Sequence, residues 1–186
     1  MIGQLPKKLN INGKDRAIRS DFRVAILIFQ AYNDMELTDQ EKAMVMIKCL
    51  YEDFDHILYE EYKEAAEKAV WFLDGGNTDD KKPLAKKVMD WEQDEQIIFS
   101  AVNKVAGYET RSTEYLHWWT FLGLFNEIGE GILSTVINIR HKKNRGKKLE
   151  KHEQEFYREN KQLIDLKTRY TAEEQAEIDY YNKILG

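Results

Sequence analysis

The sequence has few residues that cross-link or interrupt a chain. It contains one cysteine, Cys49, and two prolines, Pro6 and Pro83, in 186 residues. A single cysteine excludes a disulfide framework within one chain, and Cys49 lies in an apolar helical pattern that predicts a small buried side chain. Because proline breaks helix interiors, its scarcity favours long helices.

Long apolar runs are missing as well. The most apolar stretch, residues 116–125, is flanked by Glu114 and by Asn126 with Glu127. It is therefore shorter than the roughly 20 apolar residues that span a bilayer. The N-terminus lacks the basic start and apolar run of a secretion signal. We expect a cytoplasmic protein that does not contact a membrane.

The motifs of several large enzyme classes are also missing. The sequence has no phosphate-binding glycine-rich loop, no dinucleotide fingerprint, no Gly-x-Ser-x-Gly elbow and no Cys-x-x-Cys pair. The composition is 42% hydrophobic and 33% charged, with a formal net charge of -5, so nothing attracts the chain as a whole to nucleic acid. We predict a protein that is not an enzyme, with no catalytic residues, no metal and no cofactor.

The order of local patterns predicts a hairpin followed by helices. Residues 5–18 alternate apolar and polar side chains around Asn12-Gly13, a strong turn signal. Helix-capping signals then occur at Ser20 or Asp21, at Thr38 with Glu41, at Asp90 with Gln93, at Ser112 and at Thr171 with Glu174. We expect a mainly α fold: a bundle of about six helices with a short N-terminal β-hairpin and a polar helical C-terminal arm.

Apolar positions are concentrated before residue 140. This distribution predicts a domain over residues 1–140, which holds the hairpin and the helical core. Residues 141–186 would form a basic linker and a polar helical extension. The extension has too few apolar positions to fold by itself. It is expected either to pack back on the core or to become ordered when a partner binds.

Trp118 and Trp119 are adjacent in a segment that is apolar on almost every side of a helix. Such a helix is central to a bundle or covered by another chain. Two rings about 100° apart cannot share one small core seam, and we expect Trp119 in the core. The other side is covered by the hairpin and another helix, or it binds a partner. The predicted partner contacts are His117, Trp118, Phe121 and Phe125, followed by Trp71 and Trp91.

Glu114 and His117 have the Glu-x-x-His spacing of helical metal sites. Such a site needs a second copy of the motif and two more inward glutamates, which the sequence does not supply in a suitable place. A His117 that lies beside the core with both ring nitrogens hydrogen-bonded is the favoured interpretation. A contact with a partner and a metal-dependent enzyme are the alternatives.

An acidic cluster, Asp90, Glu92, Asp94 and Glu95, surrounds Trp91 where a helix is predicted to begin. Negative charge is stabilised there by the helix dipole, so solvated, capping carboxylates are favoured. A contact with a basic partner is a second interpretation. Acid-base catalysis, a third, would require one buried carboxylate.

Residues 140–151 contain seven Lys or Arg and one Glu. A solvated linker is the favoured interpretation, and contact with an acidic protein surface is another. Nucleic-acid binding is the alternative function, because such a run can neutralise phosphates. It is disfavoured because no aromatic stacking platform and no helix-turn-helix pattern accompany the run.

Several blocks, in order, resemble one family. They are residues 9–14 with Asp21-Phe22-Arg23, residues 70–72 before Gly75, residues 90–94, residues 115–119 with Phe121 and Leu124-Phe125, and residues 153–158. The chain resembles the tail assembly chaperones of long-tailed phages (siphoviruses) of Gram-positive bacteria, which are encoded beside the tape-measure gene. It departs from them at Asp15-Arg16 and Trp91, where other residues are usual, and no resemblance extends beyond about Lys167.

The resemblance implies a role in virion morphogenesis. The protein would bind the tape-measure protein in the host cell cytoplasm, keep it soluble and help to recruit tail-tube subunits. It would be absent from the mature virion. Tape-measure and tail-tube proteins would be its partners, and self-association through an aromatic face or the hairpin edge is also expected.

Overall fold

The computed structural model describes residues 3–77 and 86–185, except for the side chain of Leu185. These ranges contain two strands, β1 (Lys8–Ile11) and β2 (Lys14–Ala17). The α-helices in the same ranges are α1 (Phe22–Tyr32), α2 (Asp39–Leu50), α3 (Tyr62–Leu73), α4 (Glu95–Ala106), α5 (Trp118–Asn126), α6 (Ile132–Asn144), α7 (Lys151–Glu159), α8 (Lys161–Ile164) and α9 (Ala172–Leu185). The predicted mainly α fold with an N-terminal hairpin is confirmed. The sequence from Gly75 to Pro83 also predicts a polar loop, of which residues 78–85 lie outside the described residues.

The hairpin forms where the turn signal predicts it. β1 and β2 pair antiparallel, with Ile11 opposite Lys14. Asn12 and Gly13 have φ angles of 48° and 77°, the left-handed pair that a two-residue turn requires and that this dipeptide tolerates. Leu9 and Ile11 point inward and are buried. The turn is held on α3, since the N–H of Asn12 donates to the Glu64 carboxylate over 3.0 Å.

The main core lies between the hairpin and helices α1 to α5. Phe22 of α1 and Phe121 of α5 stack with ring centroids 4.7 Å apart. The Tyr51 hydroxyl donates to the carbonyl of Ala65 over 2.9 Å, which satisfies a polar group in this interior. The largest fully buried side chains of this core are Trp118, Tyr51, Phe22, Phe72, Phe121, Ile11, Ile28, Met46, Leu50 and Ile98.

Of the two candidate caps of α1, Asp21 is the N-cap, and the capping prediction at Thr38 with Glu41 is confirmed. The predicted helix start at Ser112 is wrong, because α5 begins at Trp118. The backbone before Trp118 is extended and pairs with the start of α1. The N–H of Trp118 donates to the carbonyl of Ser20 over 2.8 Å, and the N–H of Phe22 donates to the carbonyl of Leu116 over 2.9 Å. A tertiary pairing therefore overrides the local helix signal.

A second, smaller core is built around α6. Val136 and Ile139 of this helix and Ile164 of α8 are fully buried. Residue 140, the predicted domain boundary, lies inside α6, and residues 151–164 pack against that helix. Residues 151–164 therefore pack back on the body of the protein. No helix in the described ranges is long and apolar enough to cross a membrane.

Candidate protein-binding groove

A cleft that could receive another polypeptide lies beside the hairpin. It has a volume of about 820 Å³ and opens between β1 with its preceding residues on one side and α3 with α5 on the other. We call it the hairpin groove. Its lining residues are Gln4, Leu5, Pro6, Lys7, Lys8, Leu9, Asn10, Asp15, Glu67, Lys68, Trp71 and Trp119.

Two partly exposed tryptophans form the apolar part of this groove. Trp71 of α3 and Trp119 of α5 meet edge to face, with ring centroids 5.3 Å apart. The indole N–H of Trp119 donates to the carbonyl of Phe72 over 2.8 Å, which fixes the ring. Gly76 lies beside it with φ +86°, and a Cβ there would be 2.9 Å from the Trp119 ring, so only glycine fits. The Trp119 ring is therefore held in place by its own chain, with the Trp71 ring packed against it.

His117 attaches the N-terminal segment to α5 and so builds one wall. Its Nδ1 accepts the N–H of Trp119 over 3.0 Å, as the N-cap of α5. Its Nε2 lies 2.9 Å from the carbonyl oxygen of Pro6, which can only accept, so Nε2 carries the proton. The predicted His117 with both ring nitrogens hydrogen-bonded is confirmed. Neither nitrogen is left for a metal, and no cluster of three metal-binding side chains occurs in residues 3–77 and 86–185.

Burial lowers the pKa of His117, and the positive charge of Lys7 adds to this, although the bond to Pro6 opposes it. The native state therefore binds the proton less readily than the unfolded chain. We expect the free energy of unfolding to be highest above the ordinary histidine pKa of about 6.5 and to fall as the pH drops through that value. Urea titrations at several pH values between about 5 and 8 measure this loss.

The variant His117→Asn removes this titrating group, and we expect it to flatten the pH dependence in the same window. The exposed His152 provides a matched control, and His152→Asn is measured over the same pH range. Equal pH dependence in wild type and His117→Asn would contradict the assignment.

Three of the six predicted contact residues are buried in the chain itself. His117, Trp118 and Phe121 are 2%, 1% and 0% exposed. The indole N–H of Trp118 donates to the carbonyl of Leu73 over 2.8 Å, so its polar atom is satisfied inside the core. Of the two interpretations of this side of the helix, the covered one therefore holds at these positions. Their rings are covered by α1, α3 and α4 and cannot touch a partner while the core stays closed.

The other three predicted contacts are half-buried. Trp71 lines the hairpin groove. Trp91 stacks on Phe29, with centroids 5.9 Å apart, and lies 5.8 Å from the ring of Phe125. Trp91 also meets Trp118 edge to face at 6.2 Å. The structure thus brings the predicted aromatic residues together as one packed cluster, and of the six only Trp71 lies in the groove.

A known protein family matches most of this chain. The profile of the bacteriophage Gp15 protein family matches residues 1–166. The chain belongs to this family. Comparisons with curated proteins and with solved structures gave no match. The family match covers the hairpin, both cores and the whole hairpin groove, and it ends before α9.

The sequence of this Gp15-family chain did not indicate four of the groove residues. They are Trp119, which we expected in the core, and the lysines Lys7, Lys8 and Lys68. Trp119 is the more exposed of the two adjacent tryptophans. One signal could have found the groove: a lone hairpin needs a surface to lie against, and α3 carries Trp71 next to a glycine stop.

The acidic cluster of the Gp15-family chain differs from the prediction. Asp90 does accept the N–H of Gln93 over 2.9 Å, as expected for a cap, but α4 begins only at Glu95. Asp90 and Asp94 are 4% and 1% exposed, so neither is solvated. Burial alone would raise the pKa of Asp90, but hydrogen bonds from Lys87 and from the backbone N–H groups of Gln93 and Glu92 lower it below its ordinary value. Asp94 binds Arg140 through both oxygens, over 2.5 and 2.8 Å.

The basic run is also more structured than a solvated linker. Residues 140–144 are the last part of α6, and Arg140 is buried in its ion pair. Lys142 binds the Glu153 carboxylate over 2.6 Å, and Lys143 binds that of Asp165. These three cations are engaged by carboxylates of the same chain, which disfavours a phosphate-binding face formed by the run.

Proposed function

We propose that this Gp15-family protein is a tail assembly chaperone, which binds the tape-measure protein in the host cytoplasm and releases it as the tail tube assembles. The observation that carries the proposal is an open groove with two ordered tryptophans in a chain of a bacteriophage family. The identity of the partner is inferred from the resemblance of the sequence blocks to tail assembly chaperones.

The groove suits an amphipathic helix. The helix would place apolar side chains one turn apart against Trp71 and Trp119, in the helix-in-groove mode of peptide recognition. Lys7, Lys8 and Lys68 lie at the groove, where they can meet carboxylates on the polar side of that helix. Tryptophan is among the residues that most often dominate binding energy. We expect this half-exposed pair to give a modest affinity, so that the tape-measure protein can be released as the tube assembles.

The binding test uses Trp71→Ala. We expect it to lower the affinity for the tape-measure protein at least about tenfold, which corresponds to about 1.4 kcal/mol, because it removes one of the two rings. Co-expression with the tape-measure protein followed by a pull-down, and titration with its soluble fragments, measure the change.

Leu27→Ala is the matched control, since Leu27 is an apolar side chain of α1, 53% exposed and away from the groove. Trp71→Phe keeps an aromatic ring and is expected to retain most of the binding. Circular dichroism confirms that each variant is folded. A folded Trp71→Ala protein that holds the tape-measure protein as tightly as wild type would refute the groove as its site, and a wild type that never binds it would refute the function.

A further inference from the structure

Helix α9, Ala172–Leu185, lies beyond the last residue of the family match, which is residue 166. It is anchored at its start. The guanidinium of Arg169 binds Asp90 over 3.2 Å and Glu92 over 2.7 Å, and the N–H of Ala172 donates to the Glu36 carboxylate. The helix is therefore attached near the C-terminal end of α1 and the turn before α4.

The rest of α9 presents apolar side chains to solvent. Tyr180, Tyr181 and Ile184 are 63%, 52% and 60% exposed. A 14-residue helix is marginal in water by itself and is stabilised mainly by packing of one face. None of the described side chains of α9 belongs to either hydrophobic core. The helix thus has an apolar surface that a further contact would stabilise.

The charge of α9 indicates which cleft of the body it could bind. The helix carries four carboxylates, Glu173, Glu174, Glu177 and Asp179, and one lysine. The hairpin groove is lined by three lysines and two carboxylates and by the exposed edges of Trp71 and Trp119. It therefore offers opposite charge to the helix and aromatic surface to its tyrosines.

A second cleft has a charge that does not suit this helix. It has a volume of about 330 Å³, lies between α4 and the start of α6, and is lined by apolar side chains together with Glu127, Glu130 and Lys104. Its excess of negative charge repels an acidic helix. The hairpin groove is more than twice as large and has the complementary charge.

We propose that α9 of one copy docks in the hairpin groove of a second copy. The helix lies outside the groove of its own chain, whose lining comes from residues 4–119, and it begins on a different part of the body, at Glu36 and Asp90. If each copy gives its helix to the other, both grooves are filled and the assembly closes as a symmetric dimer.

A consequence rests on the function proposed above. If the tape-measure protein binds in the same groove, its helix must displace α9 of the neighbouring copy. The dimer then protects the tryptophans until a client is present, and client binding converts dimer to monomer. Self-association itself requires no client and is tested on the purified protein alone.

The experiment uses two full-length charge-reversal variants. The groove variant carries Lys8→Glu and Lys68→Glu, and the helix variant carries Glu173→Lys and Glu177→Lys. In each variant alone, groove and helix have the same sign, so we expect the dimer association constant to fall at least about tenfold. In a mixture of the two, both interfaces are complementary again, and we expect a heterodimer to form.

Sedimentation equilibrium of wild type, each variant and the equimolar mixture, up to about 1 mM, measures these constants. Lys104→Glu, in the second cleft, is the matched control and should associate as the wild type does. Circular dichroism establishes that all variants are folded. A wild type that stays monomeric over the whole range, variants that associate as tightly as wild type, or a mixture that fails to restore association would each overturn the proposal.

These results are independent of those for the client. Dimerisation that follows the charge pattern, in a protein that does not bind the tape-measure protein, would support the helix exchange and refute the function. A wild type that binds the tape-measure protein but never dimerises would support the function and refute the helix exchange.

Discussion

Trp118→Ala is expected to lower the free energy of unfolding by about 3–5 kcal/mol, the usual cost of truncating a large core aromatic. Trp118 is 1% exposed, and its indole N–H donates to the carbonyl of Leu73. The substitution leaves a cavity and an unsatisfied carbonyl between α3 and α5. Since domains are stable by only about 5–15 kcal/mol, much of the protein's stability would be lost. Urea unfolding followed by tryptophan fluorescence measures it.

Two controls separate packing from other causes. Trp118→Phe keeps a buried ring but loses the hydrogen bond, so we expect an intermediate loss. Tyr59 is 81% exposed, and Tyr59→Ala should change the stability little. A Trp118→Ala protein as stable as wild type would show that this ring does not fill the core, and it would restore the sequence-based hypothesis of an accessible ring at this position.

Asp94→Ala is expected to cost about 3–5 kcal/mol as well, because it leaves the charge of Arg140 buried without a counterion. The side chains of Arg140 and Asp94 are 4% and 0% exposed. The guanidinium also donates to the carbonyls of Ile164 and Leu163 over 2.6 and 2.8 Å. Arg140 of α6 therefore connects this helix both to Asp94 at the start of α4 and to the chain around α8. Urea unfolding measures this loss of stability. Faster amide hydrogen exchange around α8 would show that the packing is lost there.

The paired replacement provides the test of this mechanism. Asp94→Leu with Arg140→Met leaves no charge unpaired, and we expect it to recover part of the stability lost in Asp94→Ala. The recovery is partial because the carbonyls of Leu163 and Ile164 lose their donor. Glu109→Ala breaks an exposed ion pair with Arg111 and should have little effect. If the double variant were less stable than Asp94→Ala, a charge left unpaired would not be the source of the loss.

These two predictions bear on the proposed function because they concern the body that supports the groove. Trp118 and Phe121 hold α5 against α1 and α3, and α5 in turn places Trp119 beside Trp71. Core variants would therefore lose client binding through unfolding. Groove variants would lose it while the protein stays folded. Measuring stability and binding on the same variants distinguishes the two.

Local sequence determined the elements whose signals are local. Asn12-Gly13 set the hairpin and its register, because both positions need a left-handed backbone that these residues tolerate. Thr38 with Glu41 set the start of α2, and apolar periodicity indicated the helices. The blocks that carry the family resemblance are also local, since each is a short run of neighbouring residues.

Tertiary structure alone decided which side chains face solvent and which charges are paired. Helical spacing places Trp118 and Trp119 about 100° apart but does not say which one the body covers. That depended on the extended pairing of residues 116–118 with the start of α1. Asp94 meets Arg140 across 46 residues, a contact that no local pattern encodes. The groove exists for the same reason, since its walls come from the N-terminus, α3 and α5, which only folding brings together.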